Sequence, residues 1–164
     1  MRKRIRRIAE QIINDSFPLL KGKRIFYLTF YLRFYAFSIW IPPFTRIITL
    51  STRTKKFDEY VLTGILAHEL CHQERYIGMG AWRYLKFIIS YLFSPRIQKE
   101  EERATDLLTI RKGYGRQLYE LTLMTCSDEK HKKIIDNYLT PGEIIAAARD
   151  SGKWDDIEEP VNLM

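Results

Sequence analysis

Two imidazoles one helical turn apart, with a carboxylate between them, are set out by His68-Glu69-Leu70-Cys71-His72. Positions i and i+4 share a helix face, so His68 and His72 can reach one metal ion. Glu69 is rotated from His68 by ~100°, one residue step, toward a water on that ion, and is the natural general base. The chain has three histidines, and two of them fall at this spacing around a glutamate. Nitrogen ligands with an adjacent base suit zinc. The bland alternative is an amphipathic helix whose histidines face core or solvent, and the sequence downstream weighs against it.

A catalytic zinc needs a third protein ligand and an open fourth position. Lys99-Glu100-Glu101-Glu102-Arg103-Ala104-Thr105-Asp106 supplies candidates about thirty residues on. Glu102 and Asp106 are again i and i+4, so one can ligate while the other accepts from the free N–H of a ligating imidazole. Glu102 is the preferred third ligand, with Asp106 and Glu101 as alternatives. Glu100 and Glu101 read as a solvated helix start, because a run of like charge usually is one. His131, in the dense charge cluster Asp128-Glu129-Lys130-His131-Lys132-Lys133, reads first as part of a solvated face and second as an oxyanion donor.

On these two motifs the chain resembles the gluzincin clan of metallopeptidases, whose signature is H-E-x-x-H followed by Glu-x-x-x-Asp on a second helix. Here the match is Glu102-Arg103-Ala104-Thr105-Asp106. The following Leu107 to Leu118, with Gly113-Tyr114-Gly115, is similar to the glutamate helix and Gly-aromatic exit of the HtpX-type membrane proteases. Many of those carry Glu-x-x-Ala-Asp, whereas here the alanine lies one position earlier and a threonine precedes the aspartate. The short chain also resembles the compact minigluzincins. The resemblance spans roughly residues 45 to 120 and implies zinc held by His68, His72 and Glu102, with Glu69 as base and Asp106 orienting an imidazole. It implies that the strand over Thr45 to Arg53 is a sheet edge above the metal that receives an extended peptide. The oxyanion donor is open between Tyr114 and His131.

The elements that must position these residues can be read around them. Asp58 and Glu59 complement the dipole at the start of the motif helix, and Leu62, Leu66 and Leu70 form an apolar stripe beside the motif. Upstream, Ile25 to Ile41 is rich in aromatic and β-branched residues. At 17 residues with Arg33 near its middle, it is short and charged for a membrane span, and it reads as a buried strand or strand pair ending at Pro42-Pro43. Thr45 to Arg53 reads as a further strand. Gly78-Met79-Gly80 is a turn, Ala81 to Phe93 an apolar helix ended by Pro95, and Thr140 the N-cap of a last helix. The Ala81 to Phe93 helix is expected to pack as core.

At 164 residues the chain fits one domain, with a basic N-terminal helix over about 1–16 and an acidic tail over about 153–164. The net charge of +7 is concentrated at the start: residues 1–33 carry nine Lys and Arg against Glu10 and Asp15, and the remainder carries 18 of each sign. The basic helix could touch an anionic membrane surface. No aromatic base-stacking motif or Cys-rich ribbon accompanies it, so nucleic acid is not an expected partner. Cys71 and Cys126 are too few for a disulfide framework, which points to a reducing, cytoplasmic setting.

The expectation is an α+β fold, a mostly helical zincin-like domain with a small β-sheet and an H-E-x-x-H helix. Its function would be that of a zinc metalloendopeptidase acting on a peptide or protein substrate. The alternative is a non-catalytic zinc-binding or membrane-associated interaction domain.

Overall fold

A computed structural model describes residues 1–127 and 136–154; His131 and the tail from residue 155 lie outside the described residues. The fold is α+β: helix α1 (Arg2–Ser16), strands β1 (Ile25–Phe30), β2 (Ala36–Ile41) and β3 (Thr45–Ser51), then helices α2 (Glu59–Phe93), α3 (Pro95–Thr109), α4 (Gly115–Ser127) and α5 (Pro141–Asp150).

Helix α2 is the axis of the molecule, touching α1, α3, α4 and β2. Asp58 caps it, accepting from the N–H of Val61 at 2.8 Å, which satisfies one of the donors a helix start leaves free. Leu62, Leu66 and Leu70 are buried as their spacing predicts, against Ile5, Ile8 and Ile12 of α1 and Ile48 and Leu50 of β3. The basic N-terminal helix is therefore a core element whose cations occupy its outer face. Arg7 pairs with Glu59 at 2.6 Å and Arg6 with Glu10 at 2.7 Å.

Where α2 and α4 cross, Gly64 removes the side chain that would separate them. A Cβ there would stand 2.5 Å from the backbone oxygen of Gln117. The predicted turn falls at Gly80, whose φ of 70° breaks α2 into two helical halves. Pro95 occupies the first turn of α3 rather than ending the preceding helix: Ser94 closes α2 and caps α3, a position that tolerates proline because its missing N–H would be unpaired there. Thr140 caps α5 through a reciprocal pair of bonds with Glu143, as its sequence suggests.

The sheet order is β1-β3-β2, with β1 parallel and β2 antiparallel to β3. This corrects two expectations. Residues 25–41 form two strands that do not pair with each other, and both are half-buried because they are the sheet's edges. The Thr45 strand, expected as the exposed edge, is the central one and the most deeply buried. The link between β1 and β2 wraps the end of β3, where Ser51 donates its N–H to Tyr35 O at 2.7 Å and its hydroxyl to Leu32 O at 3.2 Å.

The edge that approaches the motif helix is β2. Ser38 donates its hydroxyl to Glu69 O at 2.9 Å, and Gln73 donates to Ile39 O at 3.1 Å while accepting from Arg46 at 3.0 Å. Farther along β2, the N–H of Trp40 donates to the Tyr84 hydroxyl at 2.8 Å. Sheet and motif helix are thus pinned to each other by side chains flanking His68 and His72.

Candidate metal centre

Helix α3 buries Glu101, Glu102, Thr105, Asp106 and Thr109 against α2. That stripe is wider than a single i, i+4 row, so its acids reach both histidines. Nε2 of His68 lies 3.1 Å and Nε2 of His72 3.4 Å from Oε2 of Glu102. The three side chains are buried, their donor atoms lie within 4.8 Å of one another, and together they could hold a metal ion.

The other imidazole nitrogens face away from that point and are held. Nδ1 of His68 lies 2.9 Å from Oδ1 of Asp106, and the second oxygen of Asp106 accepts from the N–H of Leu139 at 2.9 Å. Nδ1 of His72 lies 3.3 Å from Oε1 of Glu101 and 3.2 Å from the Thr105 hydroxyl. Glu101 is itself gripped by Arg75 at 2.9 and 2.6 Å, and Oε1 of Glu102 accepts from the Tyr91 hydroxyl. Carboxylates behind ligating imidazoles fix ring orientation and raise ligand basicity.

Burial opposes charge at each of these groups, and the contacts overrule it for most. Burial would lower the His68 and His72 imidazoles, but their carboxylate neighbours push His68 well above its ordinary range and His72 up to about 9. Burial would raise Glu102, yet His72 and His68 hold it well below the usual carboxylate range. Glu69 goes the other way: burial raises it, and the nearby histidines only partly compensate. Among the described residues its Oε2 has no hydrogen-bond partner, although it is buried.

A cavity of about 110 Å³ opens beside His68, Glu69 and Asp106. Ile65, Leu118, Leu121 and Leu139 line it with Phe34, Tyr35 and Tyr138, so its wall is mostly apolar, with Thr122, Thr125 and Thr140 adding hydroxyls away from the cluster. Cys126 reaches the same cavity, whereas Cys71 is sealed inside, its thiol pushed up to about 12 by burial.

The sequence-predicted His68, Glu69, His72, Glu102 and Asp106 are brought together. Tyr114 is not: its hydroxyl donates to the Ser16 side chain at 3.2 Å and its ring stacks on Phe17 at 6.4 Å, on the α1 side of the core. Glu101, expected on a solvated face, is 4% exposed and serves His72. Tyr91 and Tyr138 were missed. Tyr91 lies on a helix read only for its hydrophobicity, and Tyr138 is in a stretch without a motif, its ring 5.9 Å from that of His68. Trp154, assigned to the acidic tail, is 5% exposed and packs on Tyr119, so the core claims the first part of that segment.

Compared with known proteins, the chain matches no family model, and no curated protein or solved structure is significantly similar to it.

Proposed function

We propose that this chain is a zinc-dependent endopeptidase of gluzincin type, with a zincin-like fold. The observation that carries the reading is the unpartnered, buried Oε2 of Glu69 at the wall of a cavity beside a two-histidine, one-carboxylate cluster. A site serving structure alone closes its coordination with protein ligands and has no use for a fourth, unligated carboxylate at its rim. The donor set fits zinc: two imidazole nitrogens that yield their protons to the ion and one carboxylate oxygen, each residue backed by a second polar group.

His68 and His72, through Nε2, and Glu102, through Oε2, would hold the ion. When bound, zinc supplies Lewis acidity that polarises a peptide carbonyl and acidifies water. Glu69 takes up the proton of the attacking water at Oε2 and returns it to the departing amine. Burial favours the protonated carboxyl, which suits a group that must hold a proton briefly and give it away. Asp106 and Glu101 keep the imidazoles turned with Nε2 toward Glu102. Tyr138 replaces Tyr114 as the oxyanion donor: it borders the cavity, and burial keeps its phenol protonated. The apolar wall favours a substrate that offers an apolar side chain next to the scissile bond.

Elemental analysis of the purified protein, with a peptide-library cleavage profile of wild type beside Glu69→Gln, tests this. Stoichiometric zinc in both proteins and cleavage by wild type alone are expected. Turnover near wild type in Glu69→Gln, or absence of bound metal, overturns it.

A further inference from the structure

The second half of α2 carries an apolar stripe that the fold does not use. Its inner face, Tyr84, Phe87 and Tyr91, packs in a chain of rings leading to Tyr76 and the cluster. Opposite it, Trp82, Leu85, Ile89, Leu92 and Phe93 are 46% to 83% exposed. At ~100° per residue these five fall within about a third of the helix circumference, so they form one face. Isolated exposed apolar residues are ordinary, but a continuous stripe of large ones marks a contact surface.

Charge identifies the occupant. Arg83 and Lys86 are exposed along one margin of the stripe, and no Asp or Glu occurs from Ala81 to Lys99. An apolar face bearing Trp and Phe, edged by cations whose stems can lie along it while their heads reach phosphate, is the pattern of a helix lying in a membrane interface. A second copy of the chain would set these cations against themselves. Spanning is excluded by length: the half-helix reaches only ~20 Å at 1.5 Å per residue, against a hydrocarbon core of ~30 Å, and among the described residues no helix is long and apolar enough to cross a membrane.

We infer that residues 81–93 dock the protein onto an anionic lipid bilayer through Trp82, Leu85, Ile89, Leu92 and Phe93, with Arg83 and Lys86 at the headgroups. This surface is distinct from the basic face of α1 and does not depend on the metal chemistry. The test uses the full chain and vesicles of phosphatidylcholine, with and without phosphatidylglycerol. Wild type is expected to sediment with the anionic vesicles, more weakly with neutral ones or at high salt. Tryptophan emission should shift to the blue, and Trp82→Phe should abolish the shift, since Trp40 and Trp154 are already sheltered.

Ile89→Glu with Phe93→Glu, at exposed positions that leave the fold intact, should weaken binding roughly tenfold or more. Arg2→Gln with Lys3→Gln should change it little. The inference is overturned if wild type ignores anionic vesicles, if the Ile89 and Phe93 variant binds as wild type does, or if only the α1 variant loses binding. It is also overturned if light scattering shows a dimer that the Ile89 and Phe93 variant dissolves while vesicle binding is absent.

Discussion

Glu101 stands 3.3 Å from Nδ1 of His72 and does for that ring what Asp106 does for His68. Because Arg75 holds both oxygens of Glu101, the carboxylate cannot turn away when the imidazole is loaded. Glu101→Gln is therefore expected to weaken zinc binding by roughly 10 to 100-fold, the usual cost of losing a partner behind a ligand. Isothermal titration on the purified variant checks this, and affinity equal to wild type would return Glu101 to an ion pair with Arg75 and nothing more.

Glu102→Ala should abolish stoichiometric zinc, and Asp106→Asn should only weaken it, because among the described residues Glu102 alone points an oxygen at both Nε2 atoms. Tyr91→Phe should have a smaller effect than either, removing a donor from Glu102 while leaving the oxygen that faces the histidines. Metal content after gel filtration orders the three, and full loss in Asp106→Asn with retention in Glu102→Ala would reverse the ligand assignment.

The metal-free protein should be less stable at alkaline pH. With its folded-state value raised from 6.5 to about 9, His72 contributes stability that is fully present below pH 6.5 and is lost as pH rises through about 9. Glu102, held low, contributes in the opposite sense, above pH 4.5 and not below its depressed value. Melting in chelator should show Tm falling between pH 6.5 and 9. With zinc the trend should reverse, because the ion competes with protons for the same nitrogens. A flat profile in chelator would mean that the imidazole–carboxylate contacts are not formed without metal.

Gly64→Ala should destabilise the protein by about 1–3 kcal/mol, the range for forcing extra volume into a packed interface. The better helix propensity of alanine, worth ~1 kcal/mol at most, does not offset a contact at 2.5 Å with the backbone of Gln117. His68 lies one turn along from Gly64, so zinc affinity should fall too. Denaturant unfolding and zinc titration of the variant measure both effects.

The sequence made His68, Glu69, His72, Glu102 and Asp106 legible because each is fixed by spacing along one helix, and helical geometry is local. Asp58, Gly80 and Thr140 were legible for the same reason. Glu101 was not: its ~100° offset from Glu102 is real, but the bearing of α3 on α2 decides whether that offset points to solvent or to a second histidine. Sheet order was hidden likewise, since the register of β3 between β1 and β2 is set by contacts far apart in sequence. Tyr114 sits beside a motif yet faces α1, which adjacency along the chain cannot reveal.

The Tyr84 hydroxyl on the Trp40 N–H occupies one outward-facing position of β2. Strand alternation turns Ala36 and Ser38 the same way as Trp40, so the edge beside the cavity keeps two residues with which an incoming backbone can pair before Tyr84 closes it. A chain laid there runs out of partners after a few residues, and extending it past Trp40 adds no main-chain hydrogen bond. On the proposed peptidase reading, selection at this edge is nearly blind to the length of the peptide and governed by the few side chains beside Glu69.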